Sequence, residues 1–285
     1  MQDKPLRIGQ NSYTNVLPVF YQFDRSRFSG KIDFINQVPA KLNAALANGT
    51  IDVGAISSFG YAEHFEQYYI LPDLSVSAQK RVRSLYLFSQ RPLEKLNGAK
   101  IRMTNTSATT VNLVKIIFQK FLGFQVTYES HAPNLAEMMQ DADGAVLIGD
   151  EAIVEYRNNK TYHSYDLAEL WYRFTGLSMT FAVWAVRKEA IRQNEALMRD
   201  VHAAFLESKQ RSMANLEPLV AEVVGKIGGE PAFWFEYFRG LCYDFSKKEQ
   251  EGLAYYFACA TELGLLPGPV PIRIWEDTVQ HNTLR

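Results

Sequence analysis

Small polar and acidic side chains that could bind a ligand occur in four short clusters, at residues 12–15, 57–58, 104–110 and 149–151. Each cluster ends or directly follows a segment whose apolar pattern predicts a β-strand. The carboxyl ends of parallel strands lie at one edge of a sheet, where loops and helix amino termini leave room for a ligand. We therefore expect the four clusters to contribute to one binding site.

The run T-N-T-S-A-T-T at 104–110 has the composition of an anion site. It precedes and opens a predicted helix at 106–121, so its hydroxyls and backbone N–H groups could hold a carboxylate or phosphate at the positive end of the helix dipole. An ordinary N-cap by Thr104, Thr106 or Ser107 is the alternative for any single residue. The number of hydroxyls in one turn exceeds what a cap needs, which favours anion binding.

Three further side chains have chemical potential but an ordinary structural alternative. Asp150 or Glu151 could act as an acid, a base or a hydrogen-bond anchor, or could simply occupy the first turn of a helix. Asn15 could orient a hydroxyl or stabilise developing negative charge, or could be a turn residue. The residues alone leave both readings open.

Metal and nucleotide chemistry is disfavoured by the motifs. No G-x-S-x-G elbow, phosphate-binding loop or G-x-G-x-x-G fingerprint occurs. The histidines lack metal-ligand spacing and are expected on the surface. We expect neither a metal nor a cofactor. The histidines are His64, His131, His163, His202 and His281.

The overall composition predicts a folded protein that binds its ligand locally. The 285 residues are 47% hydrophobic, and 30 basic side chains balance 31 acidic ones. Without a basic field, nucleic acid and membrane surfaces are not expected partners. The amino terminus has no secretory signal pattern, and Cys242 and Cys259 are too few and too isolated for a disulfide framework. These features predict a cytoplasmic protein.

Strand and helix patterns alternate along the chain and predict an α/β fold of two lobes, each a mostly parallel sheet flanked by helices, with a ligand cleft between them. Residues 1–90 plus 186–285 are predicted to form the first lobe and 91–185 the second. A helix at 166–174 ended by Gly176, a strand at 178–187 and a long helix at 195–213 are predicted. The helical tail could pack on the first lobe or form a dimer contact.

Eight motifs, in order, resemble the menaquinone-biosynthesis dehydratase family within the class II periplasmic-binding-protein-like fold. The motifs are S-Y-T-N-V-L-P at 12–18, V-P-A-K-L-N-A-A-L at 38–46, D-V-G-A-I-S-S at 52–58, L-F-S-Q-R-P-L at 87–93, T-N-T-S-A-T-T at 104–110, A-V-L-I-G-D-E-A at 145–152, D-L-A-E-L-W at 166–171 and F-A-V-W-A at 181–185. The resemblance covers about residues 6–188.

The resemblance implies a lyase that dehydrates chorismate to 3-[(1-carboxyvinyl)oxy]benzoate by a stepwise elimination, without a cofactor, as a monomer or homodimer. It implies Asn15 and Ser84 as catalytic residues, of which Asn15 holds the reacting region and Ser84 hydrogen-bonds the substrate. The residues implied to bind the substrate are Ser12, Tyr13, Ser57, Ser58, Thr106, Ser107, Thr109, Gly149 and Asp150. The alternatives are a carboxylate-binding protein without chemistry, and the related enzyme that forms dihydroxynaphthoate, which is expected to use a histidine.

One segment departs from the family pattern. S-A-Q-K-R-V-R-S at 77–84 has charged residues where the family usually has a Gly-Pro pair. The segment is either a solvated loop or brings Arg81 or Arg83 to a substrate carboxylate through a charge-assisted hydrogen bond.

Overall fold

A computed structural model describes residues 4–276, in which the strands form two sheets flanked by helices. The strands are β1 Leu6–Asn11, β2 Ile32–Gln37, β3 Val53–Ser57, β4 Tyr68–Ala78, β5 Leu85–Ser89, β6 Lys100–Thr104, β7 Thr127–His131, β8 Gly144–Ile148, β9 His163–Asp166, β10 Met179–Arg187 and β11 Leu241–Cys242.

The helices cover both faces of the sheets and make up most of the chain after β10. They are α1 Leu17–Phe20, α2 Pro39–Ala47, α3 Ser58–His64, α4 Ala108–Ile116, α5 Leu135–Met138, α6 Gly149–Asn158, α7 Leu167–Thr175, α8 Lys188–Gln193, α9 Glu195–Ala214, α10 Glu217–Ile227, α11 Pro231–Gly240 and α12 Lys247–Glu262. A single π-helical turn extends α4 through Ile117–Phe121.

The two sheets share one strand arrangement. The first has the order β11-β4-β10-β3-β1-β2 and the second β7-β6-β8-β5-β9. In each, the strand that arrives from the other lobe, β10 or β5, is antiparallel to both neighbours. That strand begins at the cleft edge, where its neighbours end, so it must run the opposite way. The predicted two-lobed α/β fold with mostly parallel sheets is confirmed. Four strands of each sheet run in one direction, and the crossing strand, together with β11 in the first sheet, runs the other way.

The pairing of the two crossing strands bears on where the lobe boundaries are drawn. β5 lies before residue 90 but pairs with β8 and β9 in the second sheet, and β10 begins before residue 186 but pairs with β3 and β4 in the first. Breaker residues mark where loops lie, but they do not say which sheet the next strand joins. We therefore propose boundaries at the crossing segments 79–84 and 176–178.

The C-terminal helices connect the two lobes. On α9, the Phe205 ring packs against Phe20 and Trp184 of the first lobe. On α12, the Tyr256 hydroxyl donates a 3.0 Å hydrogen bond to the backbone oxygen of Thr109 in the second lobe. The C-terminal tail therefore packs on the first lobe. It also fixes the position of the first lobe relative to the second.

Between residues 4 and 276, no helix is both long and apolar enough to cross a membrane. Over the same residues, His, Cys, Asp and Glu side chains form no group of three or more that could hold a metal ion. His163 is exposed, and the other described histidines, His64, His131 and His202, are partly buried. His281 lies outside the described residues.

Candidate active site

A cleft between the two sheets is lined by residues from both lobes, with an empty volume of about 480 Å³ that includes space open to solvent. The lining residues are Asn11, Tyr13, Asn15, Pro39, Ala55, Ile56, Ser57, Val76, Val82, Ser84, Leu85, Ser107, Thr110, Ile148, Gly149, Phe181 and Ala182.

Helix amino termini give this cleft a positive potential. Ser107 is the N-cap of α4, Gly149 begins α6, and Ser57 caps the shorter α3, and all three line the cleft. Each helix amino terminus carries roughly half a positive charge. None of the lining residues, all of them in the described part of the chain, is charged. An anion here would be held by helix dipoles, hydroxyls and amides.

The two cap serines each cap a helix and leave one hydroxyl proton, their own or that of a neighbour, for donation into the cleft. The Ser57 hydroxyl accepts from the Gly60 N–H at 3.0 Å and from the Asn43 amide at 2.8 Å, which leaves its own proton for donation into the cleft. The Ser107 hydroxyl accepts from the Thr110 N–H at 3.2 Å and donates to Thr110 Oγ1 at 3.0 Å. Thr110 then becomes the donor into the cleft.

Asn15 and Ser84 both line the cleft and have unused hydrogen-bonding capacity. The Asn15 Oδ1 is buried and accepts no hydrogen bond. The Ser84 hydroxyl is almost fully buried and donates only a long 3.3 Å bond to the backbone oxygen of Val82. An unpaired buried acceptor costs about 1–3 kcal/mol. Such a cost is expected where a ligand completes the hydrogen bonds.

The lobes approach each other closely at Gly149 and Tyr13. Gly149 has φ +66°, and a Cβ built on it would lie 2.6 Å from the Tyr13 ring. The Tyr13 hydroxyl donates to Thr106 Oγ1 at 3.4 Å, and burial raises its pKa to about 12. Tyr13 is therefore a neutral phenol that closes one side of the cleft.

Two predicted binding residues hold the lobes together. The Asp150 carboxylate accepts from the Thr14 N–H at 3.1 Å, and its burial raises its pKa. The Thr109 hydroxyl accepts from the Phe59 N–H at 2.9 Å. Both bonds join the first lobe to the second, so Asp150 and Thr109 stabilise the closed arrangement.

The structure thus divides the predicted site residues. Those that line the cleft are Tyr13, Asn15, Ser57, Ser84, Ser107 and Gly149. Those outside the lining are Ser12, Ser58, Thr106, Thr109 and Asp150. Ser12 is exposed, and the fully buried Ser58 hydroxyl donates to the backbone oxygen of Thr180 at 2.7 Å, inside the first lobe.

Sequence reasoning missed polar and apolar parts of the lining. Asn11 ends β1, and its Oδ1 accepts a hydrogen bond from the Tyr13 N–H at 3.0 Å. Thr110 belongs to the hydroxyl-rich run at 104–110. Both residues could therefore have been recognised from these positions in the sequence. The apolar lining residues Ile56, Leu85 and Phe181 could not, because buried strand residues look alike whether they face a core or a cleft.

The segment before Ser84 is held by one buried carboxylate. Asp166, the N-cap of α7, accepts from the N–H groups of Val82 at 3.1 Å and Arg83 at 2.7 Å as well as from its own helix. Arg83 has φ +59°, a conformation that non-glycine residues rarely adopt. Its backbone is therefore held by Asp166.

The arginines of this segment do not line the cleft. The Arg81 guanidinium pairs with Glu169 at 2.8 Å and the Arg83 guanidinium with Glu236 at 2.5 Å. All four side chains are at least partly exposed. This arrangement favours the solvated-loop reading over a direct bond from either arginine to a cleft ligand.

The pKa of Asp166 predicts a distinctive pH dependence of stability. Burial raises the pKa of the Asp166 carboxyl from 3.8 to about 6, although the backbone N–H groups that donate to it partly offset this rise. Between about pH 4 and 6 the folded protein holds a proton that the unfolded chain has released, so the free energy of unfolding falls as pH rises. Asp166→Asn removes this dependence.

We expect the free energy of unfolding of the wild type minus that of Asp166→Asn to fall by about 2 kcal/mol from pH 4 to 7. Urea unfolding of both proteins at intervals across this range measures it. A difference that grows with pH would mean that the N–H donors dominate and hold the carboxylate ionised.

Comparisons with known proteins agree with this architecture. A family model described as menaquinone biosynthesis matches residues 6–262. The chain is 30% identical over 282 residues to a chorismate dehydratase of Thermus thermophilus, covering 94% of this chain and 98% of the relative. It is 24% identical over 278 residues to a 1,4-dihydroxy-6-naphthoate synthase of the same organism, with the same coverage.

Solved structures show the same fold at low sequence identity. An alkanesulfonate-binding protein from Xanthomonas axonopodis pv. citri, bound to MOPS, has a TM-score of 0.74 at 15% identity, covering 97% of this chain and all of the other. A protein from Archaeoglobus fulgidus has a TM-score of 0.70 at 16% identity, covering 93% of this chain and all of the other. The fold is periplasmic-binding-protein-like, as predicted. The match of the family model to residues 6–262 shows that the chain belongs to the menaquinone-biosynthesis family.

Proposed function

We propose that this protein is a hydro-lyase that converts chorismate to 3-[(1-carboxyvinyl)oxy]benzoate and water in the futalosine route to menaquinone. The observation that carries the proposal is the similarity, over nearly the full length of both chains, to a chorismate dehydratase. The cleft suits such a substrate, because chorismate carries two carboxylates, a ring hydroxyl and an apolar ring face. Donors at helix amino termini match the carboxylates, and Ile56, Leu85 and Phe181 match the ring.

The reaction removes one ring proton and the neighbouring hydroxyl, and the ring becomes aromatic. The described lining residues include no carboxylate and no histidine. We therefore propose that the enolpyruvyl carboxylate of the substrate takes the ring proton, and that in a second step the C–O bond breaks and the departing hydroxyl takes up this proton and leaves as water. The protein then contributes position and electrostatic stabilisation.

Asn15 and Ser84 hold the departing hydroxyl in this proposal. The amide of Asn15 accepts through Oδ1 and donates through Nδ2, and Ser84 donates to the hydroxyl oxygen as negative charge develops there. Ser57, Ser107 and Thr110 hold the carboxylates at the helix amino termini. The absence of histidine from the described lining supports the dehydratase over the naphthoate synthase reading.

The test follows chorismate with purified protein, using loss of the diene absorbance and product mass, with Ser84→Ala and Ser58→Ala as a matched pair. Both serines are almost fully buried, but only Ser84 lines the cleft. We expect wild type to form a product lighter by one water. Ser84→Ala should lower kcat about 10- to 100-fold. Ser58→Ala should cost about 1–3 kcal/mol of stability with kcat unchanged.

Chorismate bound but unchanged by wild type would support a carboxylate-binding protein instead. Equal loss of kcat in both serine variants would contradict the role of Ser84. We also propose a cytoplasmic location, as expected for a biosynthetic enzyme with two free cysteines. The oligomeric state, monomer or homodimer, stays a prediction, which light scattering of the purified protein tests.

A further inference from the structure

A buried tyrosine on a C-terminal helix lies behind Ser84. Tyr237, on α11, is 1% exposed, and its hydroxyl makes no hydrogen bond. Burial raises the pKa of this hydroxyl well above the ordinary value for tyrosine, and the nearby Ser84 hydroxyl partly offsets the rise. The phenol is therefore a neutral donor beside a hydroxyl that lines the cleft.

Two contacts hold α11 against the segment that carries Ser84. Glu236, the residue before Tyr237, pairs with Arg83, the residue before Ser84, at 2.5 Å. Directly after the helix, β11 pairs with the end of β4, the strand that leads into this segment. These contacts fix the position of α11 beside residues 83–84.

Burial without a partner is not in itself a sign of function. The hydroxyls of Tyr68, Tyr128 and Tyr243 are buried and unpaired in the same way. Tyr237 differs because Ser84, its neighbour, is a cleft residue with a weak 3.3 Å bond of its own. The Ser84 hydroxyl can turn its proton from the Val82 oxygen to a ligand. Its oxygen can then still accept a hydrogen bond from another donor.

We propose that Tyr237 is a positioning residue that donates a hydrogen bond to the Ser84 hydroxyl and so directs the Ser84 proton into the cleft. This rests on the proposed function, in which Ser84 contacts the departing hydroxyl of the substrate. A hydroxyl that accepts a hydrogen bond is polarised and becomes a stronger donor. Tyr237 touches neither substrate nor reacting atoms and acts only through Ser84.

The kinetic test uses Tyr237→Phe, which removes one oxygen atom and keeps the ring. Losing a single supporting hydrogen bond should lower kcat roughly tenfold, with KM changed less than about threefold. The matched control is Tyr68→Phe, which removes another unpaired buried hydroxyl. Tyr68 begins β4, roughly 25 Å along the strand from the cleft residue Val76. The kcat of Tyr68→Phe should equal that of wild type.

A double mutant separates positioning from general stability. If Tyr237 acts through Ser84, Tyr237→Phe in a Ser84→Ala background should have almost no further effect on kcat. Effects that multiply in the double mutant would overturn the proposal, as would an unchanged kcat in Tyr237→Phe.

A readout that needs no turnover keeps this inference separate from the proposed function. With tyrosine labelled at Cζ with ¹³C, Tyr237→Phe identifies the Tyr237 resonance. Ser84→Ala should shift that resonance and leave the Tyr68 resonance in place. A Tyr237 signal insensitive to Ser84→Ala overturns the contact, even if chorismate is dehydrated. A shifted signal in a protein that leaves chorismate intact supports the contact and overturns the dehydratase alone.

Discussion

Asn15→Ala is expected to lower kcat for chorismate about 100- to 1,000-fold, the loss typical for a donor that stabilises developing charge. The Asn15 Oδ1 is buried and unpaired, and the side chain lines the cleft across from Ser84. No charged lining residue within residues 4–276 can take over its role. Removal of the amide leaves the departing hydroxyl held by Ser84 alone.

The matched control for Asn15 is Asn112→Ala. Asn112 is also an amide of low exposure, but it donates to the backbone oxygen of Ala108 within α4 and does not line the cleft. Asn112→Ala should lower the melting temperature without changing kcat by more than about twofold. Steady-state kinetics of both variants, with thermal unfolding alongside, makes the comparison. An Asn15→Ala enzyme as active as Asn112→Ala would remove Asn15 from the mechanism.

Gly149→Ala is expected to lower kcat/KM about 100-fold, because displacing a lobe by about 1 Å costs this much in a positioned site. A Cβ at Gly149 would lie 2.6–2.9 Å from three Tyr13 ring atoms, so the ring or the whole lobe must move. The same movement strains the bond from the Thr14 N–H to Asp150 and the bond from the Tyr13 hydroxyl to Thr106. KM should therefore rise and kcat fall.

Gly176→Ala separates the clash from backbone strain. Gly176 has φ +70°, close to the +66° of Gly149, but a Cβ there would meet no atom within 4 Å. Both variants should lose about 1–2 kcal/mol of stability from the left-handed conformation. Only Gly149→Ala should also lose kcat/KM. Equal kinetics for the two variants would show that close contact between Gly149 and Tyr13 is not needed for turnover.

Several elements could be predicted from local patterns alone. The helix from Leu167 to Thr175 ends at Gly176 in the left-handed conformation, as its sequence indicates. The long strand β10 and the long helix α9 appear where periodicity places them. β4 was missed, because Pro72 interrupts its pattern and Asp73 adopts φ +56°, where the pairing with β10 shifts register.

The candidate site was predictable to the extent that its residues follow strands. The clusters at the ends of β1, β3, β6 and β8 do meet at one cleft, because the sheet edges that carry them face each other. The sequence could not separate residues that face the cleft from those that join the lobes. Ser107 and Thr109 stand two positions apart in one hydroxyl-rich turn, yet one lines the cleft and the other accepts from Phe59.

The sequence by itself determined the local elements, the α/β class and the polar strand ends, because propensity, periodicity and capping act over a few residues. Only the tertiary structure decided which sheet β5 and β10 join and that both enter antiparallel. It alone brought α11, from the C-terminal helices, to the first crossing between lobes, where Glu236 pairs with Arg83. Strand insertion and lobe closure depend on contacts between residues far apart in the chain, and no local pattern records them.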